Sequence, residues 1–289
     1  MRMRMEEQKI MELKIRAEKI RRAGLTAIQA AGSGHVGGSF SAADIMTVLY
    51  FDKMNIDPDD PRDPDRDRFV LSKGHCTPTL YAALAQRGYF PEEHLRTFRR
   101  IDSNLSGHAE MTGVPGVDMS TGSLGQGLSA AVGMALMGKQ DKKEYTVYAI
   151  LGDGEIEEGQ IWEAAMSAGN FHLDNLVVFV DNNNLQLDGT LEEIMSPYPI
   201  VEKFEAFGWK SCEVDGNDVE AVAGAIDWAK EMSGCPTVIV AKTIKGKGVS
   251  YMENDVRWHG NIPSKEQFGQ AFAELDSRIE ALEVQHGEN

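Results

Sequence analysis

Tyr145-Thr-Val-Tyr-Ala-Ile-Leu-Gly-Asp-Gly154 and Leu176-Val-Val-Phe-Val-Asp-Asn-Asn183 are the two stretches that decide the fold. Each is an apolar run of strand length that ends in polar residues. Residues 159–171, between them, carry a helix-like pattern. The three pieces predict a βαβ unit with a carboxylate, Asp153, at the tip of one strand and a carboxamide, Asn183, at the tip of the next. Open parallel sheets bind their ligands at those tips.

Outward from this unit the same alternation continues. Helix-like segments are read at 5–31, 41–51, 76–88, 91–98, 122–138, 199–207, 218–233 and 265–284, and strand-like runs at 67–71, 209–214 and 236–241. Strands alternating with helices predict an α/β fold, a doubly wound parallel sheet with helices on both faces. The loop-rich stretches at 57–67, 102–119 and 243–262 each sit inside this pattern. A single domain over 1–289, led by an amphipathic N-terminal helix, is therefore expected, and long ordered loops in such a domain are often functional.

Composition narrows the function. The chain has 289 residues, 42% of them hydrophobic, enough for one large core. The net charge of −16 argues against nucleic acid and anionic membranes as partners, since both require basic patches. No apolar run is long enough to span a bilayer, and the charged N-terminus lacks the core of a signal peptide. Cys76, Cys212 and Cys235 are too few and too scattered for a disulfide framework or a zinc site. A cytoplasmic setting is expected.

Gly152-Asp-Gly154 with Asn182-Asn183 also reads as a metal–diphosphate site. Mg²⁺ takes hard oxygen ligands and usually draws only a few from protein, the rest from phosphate and water. Asp153 offers a carboxylate oxygen, Asn183 an amide oxygen and Leu185 a backbone carbonyl. Gly154 leaves its N–H open to a phosphate, and the following helix N-terminus adds a favourable dipole. The competing reading is of two ordinary turns. The occurrence of both across one βαβ unit favours the metal site.

Four of the seven histidines, His35, His75, His108 and His259, stand beside glycine. Such a neighbour lets a ligand approach both ring and backbone, and imidazole can bind phosphate, donate to a sugar oxygen or move a proton. His94, His172 and His286 are read as surface residues.

In this order the motifs resemble the transketolase family over nearly the whole chain. Gly32-Ser-Gly-His35, Arg68-Phe-Val-Leu-Ser-Lys-Gly-His75 and Leu105-Ser-Gly-His108 resemble its histidine motifs. Thr121-Gly-Ser-Leu-Gly-Gln-Gly127 is similar to its loop over the cofactor's aminopyrimidine. Lys242-Thr-Ile-Lys-Gly-Lys-Gly248 and Trp258-His-Gly260 complete the set. The resemblance implies a thiamine diphosphate-binding fold of the diphosphate (PP) type, with thiamine diphosphate and Mg²⁺ as cofactors. It implies that Asp153, Asn183 and the Leu185 carbonyl hold the metal, and that Gly154, His75 and His259 contact the diphosphate. Gly122, Ser123 and Leu124 would touch the aminopyrimidine. His35, His108 and His259 would serve catalysis in the substrate channel. Lys245 would add positive charge there, unless it is a solvated loop lysine. Glu158 and Glu163 match acids placed between the two cofactors of a dimer, or are helix N-terminal charges.

Full transketolases carry the glutamate that activates the aminopyrimidine in a second, pyrimidine-binding domain, and no stretch of this chain matches one. The expectation is thus the N-terminal subunit of a two-chain transketolase. A separate C-terminal subunit would supply the pyrimidine domain, giving an α₂β₂ assembly acting on sugar phosphates. Rival readings are the α subunit of a 2-oxoacid dehydrogenase, a deoxyxylulose-phosphate synthase, and a non-catalytic thiamine diphosphate-binding regulator. The turn Asn184-Leu-Gln-Leu-Asp-Gly189 departs from some family members by placing Leu187 where they carry glutamine, with Gln186 expected to point elsewhere. Ser123 replaces a proline common in the family.

Overall fold

The computed structural model describes residues 6–287. Its centre is β3 (Leu176–Asn182), buried at every position. Successive side chains of a strand point to opposite faces, and here the two faces feed two cores. Val177 and Phe179 join one cluster, while Val178 and Val180 join the other. β2 (Val147–Gly152) divides in the same way, with Tyr148 and Ile150 on the first side and Ala149 and Leu151 on the second. A strand buried on both faces reads as a continuous apolar run, which is why both stretches were legible.

The remaining strands are β1 (Arg68–Leu71), β4 (Lys210–Asp215) and β5 (Thr237–Lys242). All pairings are parallel, in the order β1-β2-β3-β5-β4. The expected doubly wound parallel sheet is therefore present. α1 (Glu7–Ala31), α3 (Ala43–Val48), α4 (Thr77–Arg87) and α9 (Val219–Glu231) cover the first face. α5 (Gln126–Gln140), α6 (Gly159–Asn170) and α8 (Ile200–Ala206) cover the second. α10 (Lys265–Gly287) packs along α1 and closes a third cluster with Val36, Phe40 and Trp258. Met5, the start of the expected first helix, and Glu288 and Asn289 lie outside the described residues. No helix among the described residues is long and apolar enough to cross a membrane.

Three expectations need correction. The segment read as one helix at 41–51 is divided among α2 (Val36–Ser41), α3 and a wider turn at Leu49–Lys53. The short helix α7 (Leu191–Ile194), held by a capping box of Thr190 and Glu193, falls in a stretch for which no element was expected. The helix expected from 122 begins at Gln126, because Gly122 (φ 156°) and Gly125 (φ 87°) adopt backbone that a helix cannot use. Residues 122–125 are a loop, which frees them to face a ligand.

Gly127 shows why the start of α5 is fixed. A Cβ there would lie 2.7 Å from Cα of Ser72, so α5 reaches the end of β1 only without a side chain. Gly127→Ala is expected to destabilise the chain by roughly 1–3 kcal/mol, the range for overpacking against backbone. A lowered urea midpoint with unchanged slope would show this, and an unchanged midpoint would contradict it.

Candidate active site

The loops after β2, β3 and β5 meet above the C-terminal edge of the sheet. Asp153, directly after β2, is 3% exposed. Its Oδ1 accepts from the N–H of Gly154 at 2.9 Å, and its Oδ2 accepts from the N–H of Asn184 at 2.6 Å. The two strand tips are thus joined through one carboxylate. Asn183 is buried, and its Oδ1 accepts from the N–H of Leu185 at 3.2 Å. From the loop after β5, Lys245 reaches in and donates from Nζ to the Leu185 carbonyl at 2.9 Å. It also lies 3.1 Å from Nδ1 of His259. Lys245 is 2% exposed, so the solvated-lysine reading does not hold.

These groups, with His75, Leu124, Gly154 and Gln186, line a cavity of about 200 Å³. A larger hollow of about 870 Å³ lies against β4 and α9, away from the strand tips and lined by no histidine.

The four glycine-flanked histidines form one group. His35 and His75 have ring centroids 5.0 Å apart, His35 and His259 5.5 Å, and His75 and His259 5.3 Å. His108 extends the group, 6.4 Å from His35. Gly122 packs under His108, since a Cβ there would meet its ring at 3.2 Å. Ser123 is exposed, and Leu124 is half-exposed at the cavity. Glu158, at the start of α6, and Glu163, within it, are exposed and do not line the cavity. Gln186, expected to point away, lines the cavity and donates from Nε2 to Glu157 at 2.8 Å, whereas Leu187 is 60% exposed at its rim.

The sequence reading passed over the groups beneath. Lys73, in the segment before His75, pairs with Asp181, the residue before Asn182-Asn183. Both are buried. Lys73 also donates to the carbonyl of Gly38 at 3.0 Å. Asp181 accepts from the hydroxyl of Ser41 at 2.6 Å and from that of Thr243. Glu155, also buried, accepts from the N–H groups of Gly125 and Gly152, both at 3.0 Å, and from the hydroxyl of Ser72. It ties the loop at 122–125 to the Gly-Asp-Gly turn. The available signal was position, since each stands within two residues of a quoted motif residue. Residue type alone gave none.

Electrostatics sets the protonation states. Burial, then the nearby charge of Asp181, pushes the Asp153 carboxyl up to about 7. Burial, then Lys73, pulls Lys245 down to about 8. Burial, then Arg99, His108 and Lys245, brings His35 down to about 4. Burial, then Lys245 and His35, brings His259 down to about 3. His75 is held well below its ordinary range and His108 is lowered, both mainly by burial. At neutral pH the group is a set of neutral imidazoles, each able to donate one hydrogen bond and accept another.

The donor set suits a hard divalent cation. A carboxylate, an amide oxygen and a carbonyl are the oxygen ligands Mg²⁺ takes, and the Lys245 ammonium already rests on the carbonyl of Leu185. The raised pKa of Asp153 is itself a sign of a carboxylate buried without a full counter-charge. A bound cation would supply that charge.

A family model, "Transketolase, thiamine diphosphate binding domain", matches residues 13–275. The chain belongs to this family. It is 48% identical over 272 residues to a 6-deoxy-6-sulfo-D-fructose transketolase subunit of Clostridium sp. (strain MSTE9), covering 94% of this chain and 98% of that protein. It is 42% identical over 274 residues to an apulose-4-phosphate transketolase subunit of Phocaeicola vulgatus, covering 95% and 97%. Among solved structures it is similar to transketolase from Leishmania mexicana, with TM-score 0.84 and 30% identity. That match covers 96% of this chain and 46% of the other, so the chain spans about half the length of such transketolases.

Asp153 and the histidines give opposite pH signatures. The folded-state pKa of Asp153 is raised, so between about pH 4 and 7 the folded chain holds more proton than the unfolded one. Without metal, this group's contribution to stability therefore falls as pH rises through that window. Urea unfolding from pH 4 to 8 should show this loss in the wild type and lack it in Asp153→Asn. Identical profiles would contradict the assigned burial. The ring protons of His35 and His259 should show no titration in NMR spectra above about pH 5, and a midpoint near 6.5 would contradict their neutral state.

Proposed function

We propose that this chain is the diphosphate- and metal-binding subunit of a two-chain transketolase. The observation that carries the reading is the meeting of Asp153, Asn183 and the Leu185 carbonyl with four clustered imidazoles at one cavity. Pure binding of a diphosphate does not need that many proton-transfer groups. Family membership favours this reading over a 2-oxoacid dehydrogenase subunit, a deoxyxylulose-phosphate synthase or a non-catalytic regulator.

Asp153, Asn183 and the Leu185 carbonyl would hold Mg²⁺, and His75, His259, Lys245 and the Gly154 N–H would face the diphosphate. Thiamine diphosphate, when bound, supplies the nucleophilic carbon and the electron sink for carbon–carbon cleavage. The neutral imidazoles of His35, His108 and His259 would donate to the oxygen of the substrate carbonyl as charge develops on it, and pass its proton. Gly122, Ser123 and Leu124 would border the aminopyrimidine, with Ser123 and Leu124 reaching it from the exposed side of the loop. Glu158 and Glu163, both exposed, would contact another chain.

The reaction would move a two-carbon ketol unit from a ketose to an aldose. The curated relatives named for sulfosugar and sugar-phosphate transketolases support an anionic sugar as substrate. Because those two are subunits of nearly this length, a separate chain with the pyrimidine domain is proposed to complete each site, two of each chain forming the assembly.

The test is ketol transfer by this chain with and without the co-expressed partner. Transfer is expected only with the partner, and transfer by the chain alone would contradict the proposal. In the complex, His108→Ala should lower kcat by roughly 10²-fold or more, the usual size of a lost proton-transfer group, and leave cofactor affinity unchanged. Equal loss of cofactor binding would make His108 a cofactor ligand instead.

A further inference from the structure

Glu155 is a buried carboxylate held by neutral donors. It is 3% exposed and, among the described residues, forms no ion pair. Its Oε1 accepts from the N–H of Gly125 at 3.0 Å and from the hydroxyl of Ser72, and its Oε2 accepts from the N–H of Gly152 at 3.0 Å. Burying a charge is costly unless hydrogen bonds satisfy it, and here the geometry calls for one. Two N–H groups arrive at two different oxygens, and each needs an acceptor. A carboxylate offers two acceptor oxygens, whereas a carboxamide offers one oxygen and an NH₂.

The two N–H groups belong to the two halves of the candidate site. Gly152 opens the Gly-Asp-Gly turn, on the metal–diphosphate side. Gly125 closes the loop at 122–125, on the side where the aminopyrimidine would lie. The turn is fixed without Glu155. Gly152 sits in register with Asp181 of β3, and Asp153 accepts from the N–H groups of Gly154 and Asn184. The loop has less to hold it. Its entry is anchored by Thr121, whose hydroxyl donates to the carbonyl of Leu71 at 2.7 Å. Beyond that anchor, among the described residues, the Gly125 N–H on Glu155 is the only hydrogen bond from 122–125 to a segment outside the loop and α5. Gly125 also sits against the start of α6, where a Cβ would fall 2.9 Å from Cβ of Glu158, so the close approach requires glycine.

We propose that Glu155 is a positioning residue that couples the two halves of the cofactor site. Metal and diphosphate bound at the turn would order the loop that receives the aminopyrimidine, and by linkage the reverse holds. Glu155 borders the cavity, but both of its oxygens are engaged by Gly125, Gly152 and Ser72, so it acts through backbone. The inference rests on the thiamine diphosphate reading above.

The experiment is calorimetric titration of the two-chain complex, wild type and Glu155→Gln, with Mg²⁺ and thiamine diphosphate and, separately, with Mg²⁺ and pyrophosphate, which fills the turn alone. The single amide oxygen can serve Gly125 or Gly152 but not both, so the link is cut whichever way the side chain turns. Affinity for thiamine diphosphate should fall about tenfold or more, the loss of one hydrogen bond to a charged group, and affinity for pyrophosphate should not change. Hydrogen exchange gives a second readout. Mg²⁺ with pyrophosphate should slow exchange across 122–125 in the wild-type complex and leave it unchanged in Glu155→Gln. Equal losses for both ligands would make Glu155 a residue of the general fold, and undiminished thiamine diphosphate affinity would remove it from the site. Either result overturns the coupling, as does a wild-type loop that pyrophosphate leaves unprotected, which decides the matter even where the variant does not assemble. A wild-type complex that binds no thiamine diphosphate would overturn the cofactor reading instead.

Discussion

The ion pair between Lys73 and Asp181 lies beneath everything the site does. Both residues are removed from water, so each charge is tolerated only because the other is present. Burial alone pulls the pKa of Lys73 down, and the proximity of Asp181 more than offsets it, so the lysine stays charged. Asp181 also takes the hydroxyls of Ser41 and Thr243, and Lys73 takes the carbonyl of Gly38. Four segments distant in sequence are thereby fixed to one point. Each presents a site residue within two or three positions: His75 after Lys73, Asn183 after Asp181, His35 before Gly38, Lys245 after Thr243. Losing one partner of such a pair typically costs ~3–5 kcal/mol, because the remaining charge is left uncompensated.

The electrostatics of the whole chain and of the site are opposed. The chain is strongly acidic, with a net charge of −16. At the cavity the cations Lys73 and Lys245 stand beside Asp153 and Asp181, and burial, with Lys245 adding to it, keeps the imidazoles of His35, His75 and His259 neutral. An anionic cofactor is met by local groups, not by the surface field. The buried carboxylate of Asp153 keeps an unbalanced charge that a divalent ion would neutralise. The same burial that makes the metal-free carboxylate hard to ionise makes it a strong ligand once a cation is present.

What could be read from the chain follows from period and punctuation. β1, β2, β3 and β5 were legible because buried parallel strands are continuous apolar runs, and β2 and β3 are the clearest cases, whereas β4 at the sheet edge has no buried position. Asp153, Asn183 and the four histidines were legible because glycine, or a strand tip, stands beside each. The start of α5 was read four residues early although Gly122 and Gly125 are poor helix residues, and the positive φ of both puts the turn before Gln126. Lys73, Asp181 and Glu155 were not read as site residues. Their roles come from partners 30 to 140 positions away, and no local pattern encodes a pairing over that distance. Gln186 was misjudged because a tight turn, closed by its own N–H on the carbonyl of Gly189 at 3.0 Å, reverses the direction of its side chain.

The measurement that tests the central claim most directly is calorimetric titration of thiamine diphosphate with Mg²⁺ into the two-chain complex, for the wild type and for Asp153→Ala. Metal-dependent binding in the wild type and its loss in the variant are predicted, since the amide and carbonyl that remain carry no charge to hold the cation. Undiminished affinity in Asp153→Ala would place the metal elsewhere and contradict the assignment of these strand tips.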